Sequence, residues 1–79
     1  MSPLLEISAL VDARGMSCPM PIVRTAQAIR PLAVGTLVEV LATDPGSVKD
    51  FAAWCRSTGH ELLESSSDGA TYRFVIRRK

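Results

Sequence analysis

The hydrophobic pattern of this chain predicts an α/β (α+β) fold with the order β-α-β-α-β-β. Two helices are expected on one face of a four-stranded mixed sheet. Three observations carry that reading. Four short runs have strand character, and two longer segments each carry a single apolar stripe at helical spacing. The 79 residues, 47% of them hydrophobic, suit one domain over 1–79 with one core and contain no repeat, linker or low-complexity segment.

Residues 1–5 are read as frayed, and the first strand spans 7–12 with Ile7, Ala9 and Val11 on one face. The first helix is expected from Pro19 to about Leu32. Its stripe is Ile22, Ala26, Ile29 and Ala33, widened by Val23, with Arg24, Thr25, Gln27 and Arg30 on the wetter side. Pro31 ends it and Gly35 breaks the chain before the next strand. The second strand, over 36–43, is apolar on both faces and is read as central, with Val38 and Val40 beneath Ile22, Ile29, Phe51 or Cys55.

Asp44-Pro45-Gly46-Ser47 reads as a turn that also supplies caps for a second helix to about Thr58. Val48, Phe51, Ala52 and Cys55 form its stripe, and Gly59 suits a left-handed terminator. A weaker strand over 60–66 is read as near an edge. Asp68-Gly69 is a hairpin signal, and the last strand over 71–77 alternates Tyr72, Phe74 and Ile76 with Thr71, Arg73, Val75 and Arg77.

The chemistry gathers at Arg14-Gly15-Met16-Ser17-Cys18-Pro19-Met20-Pro21, between the first strand and the first helix. Pro19 has no N–H to lose and suits the first helical position, and Pro21 is still tolerated in the first turn. Cys18 is thereby placed at the N-cap, where Ser, Thr, Asp or Asn is the usual stabilising choice. A helix N-terminus carries roughly half a positive charge and can lower a thiol pKa from about 8.5 to ~3.5–7.5. Met20 and Ile22 would supply the remaining N–H groups. Gly15 lets the backbone bend into this junction. Two readings stay open on this local chemistry: a partly exposed nucleophile, or a small buried hydrophobe that precedes a proline.

Asp12-Ala13-Arg14-Gly15 followed by Cys18-Pro19-Met20-Pro21 resembles the TusA/SirA family of small sulfur-carrier proteins, in a D-x-R-G…C-P-x-P arrangement. The resemblance continues through Gly35, Asp44-Pro45-Gly46-Ser47, Asp50, Cys55, Gly59-His60 and the closing strand, from about residue 7 onward. It implies a two-layer α/β sandwich whose Cys18 carries sulfur as a persulfide. A cysteine desulfurase or rhodanese-like donor would load it, and an acceptor protein of a sulfur relay would receive it. Such relays feed tRNA thiolation, cofactor sulfuration or sulfur oxidation. The resemblance implies no cofactor, and "sulfurtransferase-like" describes the protein better than "free-standing enzyme". Arg14, Gly15, Pro19 and Pro21 support the motif. The family pattern often has Leu where Met16 stands, and it varies at Ser17 and Met20. Ser17 and Met20, with Arg24 and Asp44, are candidate partner contacts.

The other candidates have plainer readings. Cys55 belongs to a packing stripe, and without a C-x-x-C pair dithiol exchange lacks its second sulfur. Cys18, Cys55 and His60 match no usual zinc spacing, so no metal site is expected. His60 is read as a cap or strand-start residue ahead of a general base, and Trp54 as a core-edge packer. Arg14 could favour a Cys18 anion or be solvated. Asp50 suits an early helical position. Arg24, Arg30 and Arg77-Arg78-Lys79 could dock an acidic partner, although solvated charge suffices for the tail.

A net charge of +1 without a basic stripe argues against an RNA-binding module of the same fold, which with a regulatory or selenium-handling relative is the alternative. No run reaches the ~20 apolar residues of a membrane span, and the N-terminus lacks a signal-peptide pattern. Two cysteines outside any disulfide framework suit a reducing compartment, the cytoplasm.

Overall fold

The computed structural model describes residues 7–79; the expectation of fraying over 1–5 lies outside them. Six elements follow in the expected order. They are β1 (Ile7–Ala13), α1 (Met20–Ile29), β2 (Leu37–Ala42), α2 (Ser47–Thr58), β3 (Glu61–Asp68) and β4 (Thr71–Arg77). The strands lie side by side as β1-β2-β4-β3, with β1 parallel to β2 and the other two pairs antiparallel. β2 is central, as its apolar faces predict, and β3 is an edge.

Topology fixes where the helices point. Both β2 and β3 oppose β4, so β2 and β3 are parallel to each other, as β1 and β2 are. Each helix is therefore a crossover between parallel strands and runs against them. The N-termini of α1 and α2 consequently meet where β1 and β2 end.

One face of the sheet makes the core. In register, Val11 sits beside Val40 and Phe74, and Ala9 beside Val38, Ile76 and Leu62. Ile29 from α1 and Phe51 and Cys55 from α2 close over these rows in one cluster, so both helices cover the same face. Phe51 stacks on Phe74 at 4.7 Å and meets the edge of Trp54 at 6.2 Å. Trp54 is thus the core-edge packer its position suggested. On the open face, Arg73 bridges Glu39 and Glu64 at 2.5 Å each. Both carboxylate residues lie in register with Val75, which is fully buried there.

Five local expectations need correction. α1 starts one residue late, with Pro19 as its cap at φ −98°, ψ 14° and Pro21 at the second helical position. The cause is a turn in which Met20 N donates to Ser17 O at 2.9 Å, so Cys18 stands just outside the helix; the Cys18–Pro19 peptide is cis. Thr25 is fully buried because its hydroxyl donates to Pro21 O at 2.9 Å and so needs no water. α1 ends at Ile29, leaving Ala33 exposed beyond it, and Val23 and Val48 lie largely outside the core. α2 has no side-chain cap; Gly46 occupies that position while Asp44 turns elsewhere. Its other end is as expected, with Gly59 at φ 89° donating to Cys55 O. The hairpin loop is Gly69-Ala70, since Asp68 still pairs with Thr71.

Candidate functional site

The site forms where the parallel pair β1–β2 ends, because that topology brings two loops together. From the first loop, Gly15 N donates to Thr43 Oγ1 at 2.9 Å and Cys18 N donates to Asp44 Oδ2 at 2.9 Å. Both acceptors belong to the chain leaving β2. Gly15 sits at φ +80°, a left-handed value that any side chain would strain, so its place in the motif has a backbone reason. The result is an exposed Cys18 on a turn braced from two sides.

The electrostatics oppose the expected activation. The Asp50 carboxylate favours the protonated thiol, loss of solvent adds to the effect, and the negative charges of Asp50 and Asp44 act against a thiolate. Cys18 is held above the ordinary thiol range, not below it. The two carboxylates flank one point: a Cβ on Gly46 would lie 3.8 Å from an Oδ2 of each. The expected cradle of backbone donors is also reduced. Met20 N is already bonded to Ser17 O, and Pro19 and Pro21 offer none, which leaves Ile22.

Arg14 does not relieve this field. Its guanidinium forms a two-pronged pair with Asp12, 2.8 Å on each arm, and its backbone N–H donates to the same carboxylate at 3.2 Å. That pairing holds Asp12 down at about 2. Arg14 therefore shapes the loop and is not a counter-ion of the thiol. Around the thiol, Met20, Val23 and Val48 present exposed apolar surface from the first turns of the two helices. Ser17 and Arg24 are exposed, whereas Asp44 is partly buried as a brace.

The remaining sequence candidates stand apart from this site. Cys55 is buried, and burial pushes its thiol up to about 11. His60 lies past the far end of α2, whose 12 residues span roughly 18 Å. There it packs on Trp54 at 5.1 Å, and its Nδ1 accepts a hydrogen bond from Lys79 N at 3.0 Å. It cannot serve Cys18 as a base. Among the described residues no group of three or more His, Cys, Asp and Glu side chains gathers closely enough to hold a metal ion. Nor is any described helix long and apolar enough to cross a membrane.

Asp50 as partner of the thiol and Thr43 as brace of Gly15 were missed in the sequence. A signal existed. Once β1 and β2 are placed as parallel neighbours, the residues that follow each must share one end of the sheet.

Comparison with known proteins agrees with this geometry. The profile of the family described as Sulfurtransferase TusA matches residues 9–78. The chain is 44% identical over 68 residues to the sulfur carrier protein TusA of Allochromatium vinosum, covering 86% of this chain and 90% of that one. It is 46% identical over 74 residues to the putative sulfur carrier protein YrkI of Bacillus subtilis, covering 94% and 99%. A crystal structure of a SirA-like protein from Desulfitobacterium hafniense superposes with a TM-score of 0.79 at 25% identity, over 89% of this chain and 96% of that one. A match of sequence over residues 9–78 and of fold over 89% of the chain places it in the TusA family of sulfur carriers.

Proposed function

We propose that Cys18 is the residue that carries the sulfur, as a persulfide. The observation that supports this most is the contrast between the two thiols: Cys18 is exposed on a braced turn, and Cys55 is sealed in the core. In the loading step Cys18, as thiolate, attacks the terminal sulfur of a donor persulfide. The donor S–S bond breaks, a Cys18–S–SH bond forms, and the departing donor thiolate takes the proton that Cys18 lost. Sulfur is passed on without net oxidation, so the exchange requires no cofactor. Unloading is the same step with an acceptor protein as nucleophile.

The acidic surroundings give this carrier a particular character. A thiol held above its ordinary range by Asp50 and Asp44 favours the protonated form and resists stray alkylation or oxidation while the protein is free. A donor must then bring the deprotonating environment with it. Ser17, Met20 and Arg24, together with Asp44, are the partner contacts in this reading, and Val23 and Val48 extend the apolar rim. The donor is a cysteine desulfurase or a rhodanese-like protein. The acceptor belongs to a tRNA-thiolation, cofactor-sulfuration or sulfur-oxidation relay in the cytoplasm, and residues 1–79 act as one carrier domain. Nothing in the site favours the RNA-binding alternative. Intact-mass measurement after incubation with a desulfurase and cysteine tests the proposal. The wild type should gain roughly 32 Da that a reductant removes, and a folded Cys18→Ser protein should gain nothing. Labile sulfur on Cys18→Ser would refute it.

A further inference from the structure

The opposite end of the helical layer holds a hollow that sulfur transfer does not use. Ala26 and Ile29 of α1, Arg30 just past it, Trp54 and Thr58 of α2, and His60 and Arg78 line about 210 Å³. Its floor is apolar, from Ala26, Ile29 and Trp54, and its rim is cationic. Arg78 donates from Nε to Ile29 O at 3.1 Å, from Nη2 to Arg30 O at 3.2 Å and from Nη1 to Lys79 O at 2.9 Å. The first two acceptors are peptide carbonyls and the third is the main-chain oxygen of Lys79, the last residue, so Arg78 meets no acidic side chain although the terminal carboxylate lies against its outer edge. Arg30 is exposed and takes part in none of the ion pairs among the described residues. His60 accepts from Lys79 N at Nδ1, which puts the ring hydrogen on Nε2 as a further donor. No carboxylate lines the hollow.

Capping the last carbonyls of α1 accounts for Arg78. It does not account for Arg30, nor for an apolar floor left open between them. The volume decides what could enter. It falls below the ~300–1,000 Å³ of usual small-molecule pockets and suits one or two side chains. Arg30, which has no acidic partner among the described residues, and a lining without Asp or Glu set the charge of those side chains. We propose that this hollow is a docking site for an acidic segment of a partner protein, an Asp or Glu side chain entering beside an apolar one. The hollow lies along the same two helices as the thiol, about 15 Å away by the length of α1. A partner seated on the helical layer could therefore hold this end while its active site reaches Cys18.

Trp54 is the only tryptophan, so its fluorescence reports this hollow alone. The probes are acetyl-Leu-Glu-Glu-Leu-amide, its Gln-Gln counterpart, and sodium acetate at matched charge. The acidic peptide should give a saturable Trp54 change that weakens with added salt, while the Gln-Gln peptide and acetate should give none. Arg30→Gln should lower the affinity about tenfold, and Lys49→Gln, an equal charge loss near the other end of α2, should leave it unchanged. Circular dichroism checks that both variants fold. Equal responses to the three probes, no saturable response, or unchanged affinity in Arg30→Gln would each overturn the proposal. The Cys18→Ser protein should bind the peptide as the wild type does, which separates failure here from failure of the sulfur assignment.

Discussion

The two ends of the helical layer have opposite electrostatics, and only one of them carries an exposed thiol. Where α1 and α2 begin, Asp12, Asp44 and Asp50 surround the Cys18 turn; where they end, Arg30, Arg56, His60, Arg78 and Lys79 gather. For the helices both arrangements are favourable, since acids suit N-termini and bases suit C-termini. For the thiol the first is unfavourable, because the same Asp50 and Asp44 that complement α2 oppose a thiolate. A helix N-terminus does not by itself activate a cysteine. The side chains that settle there decide the sign.

Removing what the ends share should have the largest effect. Phe51 is fully buried between Phe74 and Trp54, so Phe51→Ala should cost about 3–5 kcal/mol in denaturant unfolding and loosen both ends together. A loss under about 1 kcal/mol would mean that the two ends do not depend on a common core.

Asp50→Asn should lower the Cys18 pKa and raise its alkylation rate at neutral pH several-fold, with Asp44→Asn giving the smaller change. The sign is firm: a carboxylate penalises the thiolate, so its neutralisation frees it. A slower reaction in Asp50→Asn would show that the carboxylate helps remove the proton instead.

Glycines set the two ends side by side. Gly15 at φ +80° and Gly59 at φ +89° both sit in the left-handed region. Each change to Ala should cost roughly 1–2 kcal/mol for the backbone alone. At Gly59 a Cβ would also meet the Lys79 side chain at 2.7 Å, a flexible group that can move aside. Gly15→Ala should in addition slow sulfur loading, since it displaces the brace to Thr43, and Gly59→Ala should not. Equal loading in both variants would remove the brace from the account.

The smallest effect is a pH dependence at the basic end. Burial, then the charges of Arg78 and Lys79, hold His60 below its usual value. The unfolded chain therefore binds this proton more readily, and stability should fall as pH drops below about 6.5, levelling once the folded imidazole also protonates. His60→Gln should flatten that slope in thermal melts monitored between neutral and mildly acid pH, and an unchanged slope would discharge His60.

Periodicity made the architecture readable. Val38 and Val40 on β2, Phe51 and Cys55 on α2, and Gly59 as terminator all followed from spacing, because burial of one face is what that spacing encodes. Thr25 escaped because a hydroxyl can be buried once a carbonyl four residues back accepts its hydrogen. The motif located Cys18 but not its chemistry. Its N-cap assignment failed by one residue through the Ser17–Met20 turn, and its pKa direction failed through carboxylates that only the parallel β1–β2 pairing brings near. Local pattern encodes local structure, and the field at the thiol is a long-range product of topology.

Where the labile sulfur resides can be read directly by peptide mapping. Wild-type protein loaded by a desulfurase, alkylated and digested under non-reducing conditions should show the added sulfur in the peptide containing Cys18. The peptide containing Cys55, whose thiol is buried and held at about 11, should carry none. Sulfur found on the Cys55 peptide, in protein that remains folded, would contradict the account.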